Sequence, residues 1–150
     1  MARVKKKIKV VKTSTLKKKL WKLFSEYIRR RDKGICFTCH LTKHYKQMQA
    51  GHFISKAVGG IGLYFHEKNV HCQCYRCNIN LGGNGAVYAK RIIEIYGVGT
   101  FEKLFYIKNQ CLCKWTPEIY ESKIKYYKAK LKEMDVENVP SKIQVCDLDY

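Results

Sequence analysis

The sequence predicts an α+β fold: a small metal-stapled unit of two strands and a helix, packed among longer flanking helices. Three observations lead there. Cysteines recur as two Cys-x-x-Cys pairs, Cys36/Cys39 and Cys74/Cys77, separated by 34 residues. Over residues 35 to 74 the helical period is lost and glycine falls at 51, 59, 60 and 62, which suits short strands and a long loop. On either side of that region apolar residues return at helical spacing.

Taken in order, the chain opens on a basic arm, residues 1 to 12. From Arg3 to Lys22 there are ten basic side chains and no acidic one. Lys5, Lys6 and Lys7 of the arm are phosphate-contact candidates, with a plain solvated tail as the alternative. A single domain is expected over residues 13 to 134. It begins with the cap signal Thr13-Ser14-Thr15, after which Leu16, Leu20, Leu23, Phe24, Tyr27 and Ile28 recur at helical spacing until Gly34. The other face of this helix carries Lys18, Lys19, Lys22, Arg29 and Arg30, available for phosphates. Beyond the strand region, Tyr88, Ile92, Ile95 and Tyr96 mark a helix stopped by Gly97. A shorter helix follows a Thr100 cap, and a last one runs from Thr116-Pro117 through Ile124, Tyr127 and Leu131. Residues 135 to 150 hold Asp135, Glu137, Asp147 and Asp149 against the single Lys142 and read as an acidic tail.

At 150 residues the chain is one domain's worth, with a modest apolar core that a staple would help. Thirty lysines and arginines against 12 acidic residues give a formal charge of +18, which makes a polyanion the expected partner. Nucleic acid comes first and an anionic membrane surface second. No stretch approaches the roughly 18 to 20 apolar residues of a membrane span, and the N-terminal segment lacks the pattern of a secretory signal. The cytoplasm is therefore the expected compartment. In a reducing compartment the eight cysteines read as metal ligands or buried thiols, against a disulfide framework.

Two intervening residues let both sulfurs of a Cys-x-x-Cys pair turn toward a common centre, so two pairs make a closed site of four thiolates. Zn²⁺ is the expected ion, in a structural role. Cys72 is the rival ligand because it lies two residues before Cys74; Cys111, Cys113 and Cys146 read as buried thiols.

Between the pairs stand Gln49-Ala50-Gly51-His52-Phe53 and His66-Glu67-Lys68-Asn69-Val70-His71, and Asn78 directly follows the last paired cysteine. A histidine, an asparagine about 17 residues on and a ligand-type residue abutting the second pair resemble the layout of an HNH (ββα-metal) nuclease with a zinc knuckle. Phosphodiester hydrolysis needs a base for water, a divalent cation for the phosphate charge and a rigid frame for both. His52 suits the base, Asn69 an orienting partner for its ring, and Asn78 an oxygen ligand for a hard cation such as Mg²⁺ or Mn²⁺. A lone histidine is usually structural; His52 differs through its place in this order, whereas His66 and His71 lack that support. Asn84 reads as a helix cap or a rival metal ligand.

Further segments widen the likeness. Leu23-Phe24-Ser25-Glu26-Tyr27-Ile28-Arg29-Arg30, Gln73-Cys74, Cys77-Asn78, Gly83-Asn84, Tyr88 and Tyr96-Gly97, with the motifs above, resemble the phage NinG/Rap recombination family over roughly residues 16 to 131. The knuckle and site are also similar to those of phage endonuclease VII. The resemblance implies a structure-specific DNA endonuclease acting on branched intermediates such as Holliday junctions and D-loops in the bacterial host, and paired strand cuts would suit a symmetric dimer. One departure stands out. Many HNH enzymes place a metal ligand directly before the histidine, and here that residue is Gly51. Glu67, His71, a backbone carbonyl, or water and phosphate are left to fill the sphere. The rival readings are a catalytically silent zinc module that grips nucleic acid and an HNH nuclease that cuts linear duplex.

Overall fold

The computed structural model describes residues 11–110 and 114–137. The arm residues Lys5, Lys6 and Lys7, the thiols Cys111, Cys113 and Cys146, and most of the acidic segment lie outside them.

Helix α1 (Thr13–Arg31) buries Leu16, Leu20, Phe24, Tyr27 and Ile28, one stripe at helical spacing. Its expected cap is not made: the helix begins at Thr13, and Lys12 takes the capping position with no side-chain bond. The far end closes as glycine predicts. Gly34 sits at φ +67, and a Cβ there would strike the Lys43 carbonyl. Its N–H donates to Arg29 O at 3.0 Å.

Strands β1 (Gln49–His52) and β2 (Val70–Gln73) form an antiparallel pair in the register Gln49↔Gln73, Ala50↔Cys72, Gly51↔His71 and His52↔Val70. Between them runs a loop containing the short helix α2 (Gly60–Tyr64). After β2 a π-helical turn, Arg76–Asn80, leads to α3 (Gly85–Tyr96). Gly97 at φ +82 ends α3 as expected. Helix α4 (Val98–Gln110) then starts two residues ahead of the expected Thr100 cap; the Thr100 hydroxyl instead donates back to Tyr96 O at 3.0 Å. Helix α5 (Pro117–Glu137) begins at the expected proline and continues three residues into the segment read as an acidic tail.

Every residue of β2 is buried, because both faces of the strand pair are covered. Val70 and Ala50 pack into the core built by α1 and α5 with Phe65. There the Phe24 ring meets Tyr127 edge-on at 5.1 Å and Phe65 at 5.5 Å. On the opposite side Phe37, Ile54 and Leu63 join Tyr88 and Ile92 of α3 and Leu104 of α4 in a second core. Among the described residues the result is a mixed α+β arrangement, mostly helical, around one two-stranded sheet. Among the described residues no helix is long and apolar enough to cross a membrane.

Candidate metal centre and the His52 cleft

The sulfurs of Cys36, Cys39, Cys74 and Cys77 all lie within 4.8 Å of one another. Four thiolates about 2.3 Å from a tetrahedral zinc stand roughly 3.8 Å apart, so the cluster fits a Zn²⁺ ion with small adjustment. Cys39 and Cys74 are already 3.7 Å apart. Burial raises the Cys36 thiol, but hydrogen bonds from the Thr38 hydroxyl and from backbone groups outweigh it and bring it down to about 6. Burial and the neighbouring thiols push Cys39 the other way, to about 12. Without an ion, close sulfurs thus resist carrying charge together; a cation removes that conflict. Cys72, the rival ligand, is buried beside Cys36, Cys74 and Cys77 but is not one of the four converging sulfurs. Its backbone N–H donates to Asp32 Oδ2 at 2.7 Å, which ties β2 to the end of α1.

His52 ends β1. Its ring stacks on Trp21 of α1, centroids 5.3 Å apart and planes 20° from parallel, and lies 5.3 Å from the Tyr64 ring. Nε2 is 3.0 Å from Tyr64 O. A carbonyl only accepts, so Nε2 carries the hydrogen and Nδ1 is the bare, proton-accepting nitrogen. Burial, helped by the charge of Lys56, lowers the ring's pKa to about 4, so the accepting form dominates at neutral pH. His52 and Asn78 line one cleft of about 230 Å³ with Ser55, Lys56 and Gly83. Asn78 stands in the π-helical turn directly after Cys77, so the four-cysteine cluster fixes its position. Its Nδ2 donates to Gln49 Oε1 at 2.7 Å, which fixes the amide with Oδ1 on the other side.

Three sequence expectations are placed differently, while Asn84 takes the capping position that is one of its two expected roles. Asn69 does not hold the His52 ring directly, since the Tyr64 carbonyl does. Fully buried, Asn69 accepts from Ile54 N–H at 2.8 Å and donates to Ile54 O and Leu63 O at 3.0 Å each, clamping the loop that delivers Tyr64. His71 is no metal ligand, because both ring nitrogens are engaged: Nδ1 with Tyr88 and Nε2 with Tyr96, each hydroxyl at 2.9 Å. Tyr88 donates its proton to Gly51 O at 3.0 Å, so it accepts from His71 Nδ1–H, and Tyr96 donates to Nε2. Glu67 accepts from the hydroxyls of Tyr27 and Tyr127, at 3.2 and 3.0 Å, and joins α1 to α5. Asn84 occupies the capping position of α3 in the left-handed region, φ +52, with no side-chain cap bond, and is not among the residues lining the cleft.

The basic face divides. Lys18, Lys19 and Lys22 are exposed, as a phosphate-binding face requires. Arg29 instead donates to Ser25 O, Tyr45 O and Met48 O, and Arg30 pairs with Asp135 at 2.6 Å. Both are committed to the protein. Two residues that sequence reasoning missed stand at the cleft: Trp21, under the His52 ring, and Lys56, which lies 5.6 Å from the Trp21 ring centroid. Trp21 follows Leu20 and precedes Phe24 by three, at the edge of the buried stripe, and that position was the available signal.

Neutral, buried His71 makes stability depend on pH. Burial, then the charge of Arg31, lowers its pKa below the unfolded value, so the unfolded chain binds more protons below about pH 6.5. Stability is present above that pH and falls as pH drops, by about 1.4 kcal/mol per unit from this group. That full slope is reached only well below pH 6.5, so between pH 7 and 5.5 zinc-loaded His71→Gln should lose about 1.2 kcal/mol less stability than the wild type; equal losses would show that His71 does not carry the dependence.

The fold and the cluster define a small protein of mixed α+β structure with a four-cysteine cluster that could hold a zinc ion. The chain matches the family model described as "Bacteriophage Lambda NinG protein" over residues 1–137, and it belongs to that family. It is 29% identical over 134 residues to "Protein ninG" of Salmonella phage P22, and equally to that of Escherichia phage lambda. Each alignment covers 85% of this chain and 64% of the relative, so the chain spans somewhat under two thirds of the curated relatives it matches. No solved structure matches it.

Proposed function

We propose that this chain is a divalent-metal-dependent DNA endonuclease whose general base is His52. The observation that carries the reading is the His52 ring itself: its Nε2–H is fixed on a backbone carbonyl, its Nδ1 is free to accept, and it shares a cleft with Asn78. In this reading Nδ1 takes the proton of a water as its oxygen attacks phosphorus and the ester oxygen departs, while Nε2–H stays on Tyr64 O and holds the imidazolium in place. A divalent cation at Asn78, when bound, supplies charge neutralisation and a more acidic water, which suits a base of low pKa. Lys56 offers its charge to the phosphate from the cleft wall.

Branched recombination DNA is the proposed substrate, on the strength of the sequence resemblance, in the cytoplasm of a phage's bacterial host. Labelled four-way junction, D-loop and linear duplex, each with Mg²⁺, Mn²⁺ or chelator, test it. Cation-dependent cutting with preference for branches is expected; equal cutting of linear duplex overturns the branch preference. The second reading, a silent zinc module, draws on Gly51, which brings no ligand of its own, and it prevails if no substrate is cut with either cation.

Phosphate contacts by Lys18, Lys19 and Lys22 act on every DNA alike. Changing all three to alanine should lower the slope of log affinity against log salt by about 0.9 per lost duplex contact. An unchanged slope would assign phosphate binding elsewhere.

A further inference from the structure

We propose that Gln73 supplies the ligand oxygen that Gly51 does not, so that a hard divalent cation is held by Gln73 Oε1 and Asn78 Oδ1, with Asn78 also lining the His52 cleft. The inference rests on the nuclease reading and names the missing partner in its metal site.

Gln73, the last residue of β2, is fully buried. Its Nε2 donates to Thr38 Oγ1 at 3.2 Å and to Gly83 O at 2.9 Å. The Gly83 carbonyl can only accept, so the amide cannot be turned over, and Oε1 is fixed on the other side. That oxygen has no hydrogen-bond partner, and no other buried side-chain nitrogen or oxygen among the described residues lacks one. A buried acceptor left unpaired is costly, and an absent ion is one of its ordinary explanations.

Gly51 shows where the oxygen points. A Cβ built on Gly51 would collide with Gln73 Oε1 and would stand 2.9 Å from Asn78 Oδ1. The Gln73 carboxamide therefore fills the space that a side chain at position 51 would take, and offers an oxygen there. Glycine at 51 is what admits it. Both nitrogens of the two amides are held, Gln73 by Gly83 and Thr38, Asn78 by Gln49. The two oxygens left over converge. Hard cations take oxygen ligands, and Mg²⁺ or Mn²⁺ held by only two neutral ones keeps several waters, leaving positions for phosphate oxygens. Gly83, whose carbonyl anchors Gln73, also lines the cleft that holds His52.

The test reads binding, not cleavage. Zinc-loaded protein labelled with ¹⁵N is titrated with Mn²⁺, whose paramagnetism broadens nearby resonances. In the wild type the Gln73 side-chain NH₂, the Asn78 side-chain NH₂ and the Gly51 N–H should broaden first. By electron paramagnetic resonance, Gln73→Leu should bind Mn²⁺ about tenfold more weakly or worse, at unchanged zinc content. The double variant Gly51→Asp/Gln73→Ala returns a ligand to position 51 in the space vacated, and should recover the affinity. If Gln73→Leu binds Mn²⁺ as the wild type does, or if wild-type broadening centres away from Gln73, the assignment is overturned. The nuclease reading then still stands wherever cation-dependent cutting is lost in His52→Ala, so the two failures are distinguishable. Should Gln73→Leu not fold, the wild-type broadening pattern decides alone.

Discussion

Stripping zinc from the Cys36, Cys39, Cys74 and Cys77 cluster should unfold the protein. The expected size follows from two magnitudes: metal binding at structural cysteine sites is worth about 10 to 16 kcal/mol, and a domain of this size has a net stability of about 5 to 15 kcal/mol. The cluster also joins two segments far apart in the chain. Cys36 and Cys39 follow α1, Cys74 and Cys77 follow β2, and the Asn78 turn leaves directly from the last ligand. Elemental analysis should find about one zinc per chain, and a strong chelator under reducing conditions should abolish the cooperative melt. Cys39→Ser and Cys77→Ser should each reproduce the loss in part. A chelated protein that melts at the temperature of the untreated one would remove the structural role.

His52→Ala should lower the single-turnover cleavage rate by about 10²-fold to 10⁴-fold, the usual contribution of a positioned general base, while DNA affinity is retained. Binding survives because His52 is neither a cysteine ligand nor part of the exposed lysine face of α1. Acidification should have a related effect. The ring's pKa lies near 4, so the base stays in its accepting form through neutral pH, and its protonation costs rate only well below pH 6.5. Trp21→Ala leaves the base present but takes away the ring stacked on it, and should cost less than His52→Ala. Equal rates for wild type and His52→Ala, measured at equal occupancy, would show that the proton goes elsewhere.

The helices and the cysteine cluster were legible because their signals are local: a stripe at Leu16, Leu20, Phe24 and Ile28, a proline at 117, glycines at 34 and 97, and thiols two residues apart. The cap signals misled. Thr13 and Thr100 carry the right side chain, but capping depends on which residue leaves the helical conformation first, and in both cases the helix had already begun. The partners of the site were harder to read because they depend on register and long-range contact. Pairing of Gly51 with His71 sets that histidine beneath β1, facing Tyr88 and Tyr96, so a residue chosen for its ligand chemistry became a buried brace. Glu67 and Arg29 went the same way, each drawn to partners more than ten residues distant. The Tyr64 carbonyl that orients His52 has no signature in sequence, since every residue carries one. Gln73 escaped notice because glutamine is an ordinary strand-end residue until its oxygen is found unpaired against a glycine.

Cleavage of an end-labelled four-way junction under single-turnover conditions, by zinc-loaded wild type and His52→Ala side by side with Mg²⁺, tests the central claim most directly. The account predicts discrete cuts near the branch point by the wild type, none in chelator, and a rate at least about 10²-fold lower for His52→Ala at equal bound fraction. Intact junction in every lane, with Mg²⁺ or Mn²⁺ and with binding demonstrated, would contradict it and leave a zinc-stapled DNA-binding module.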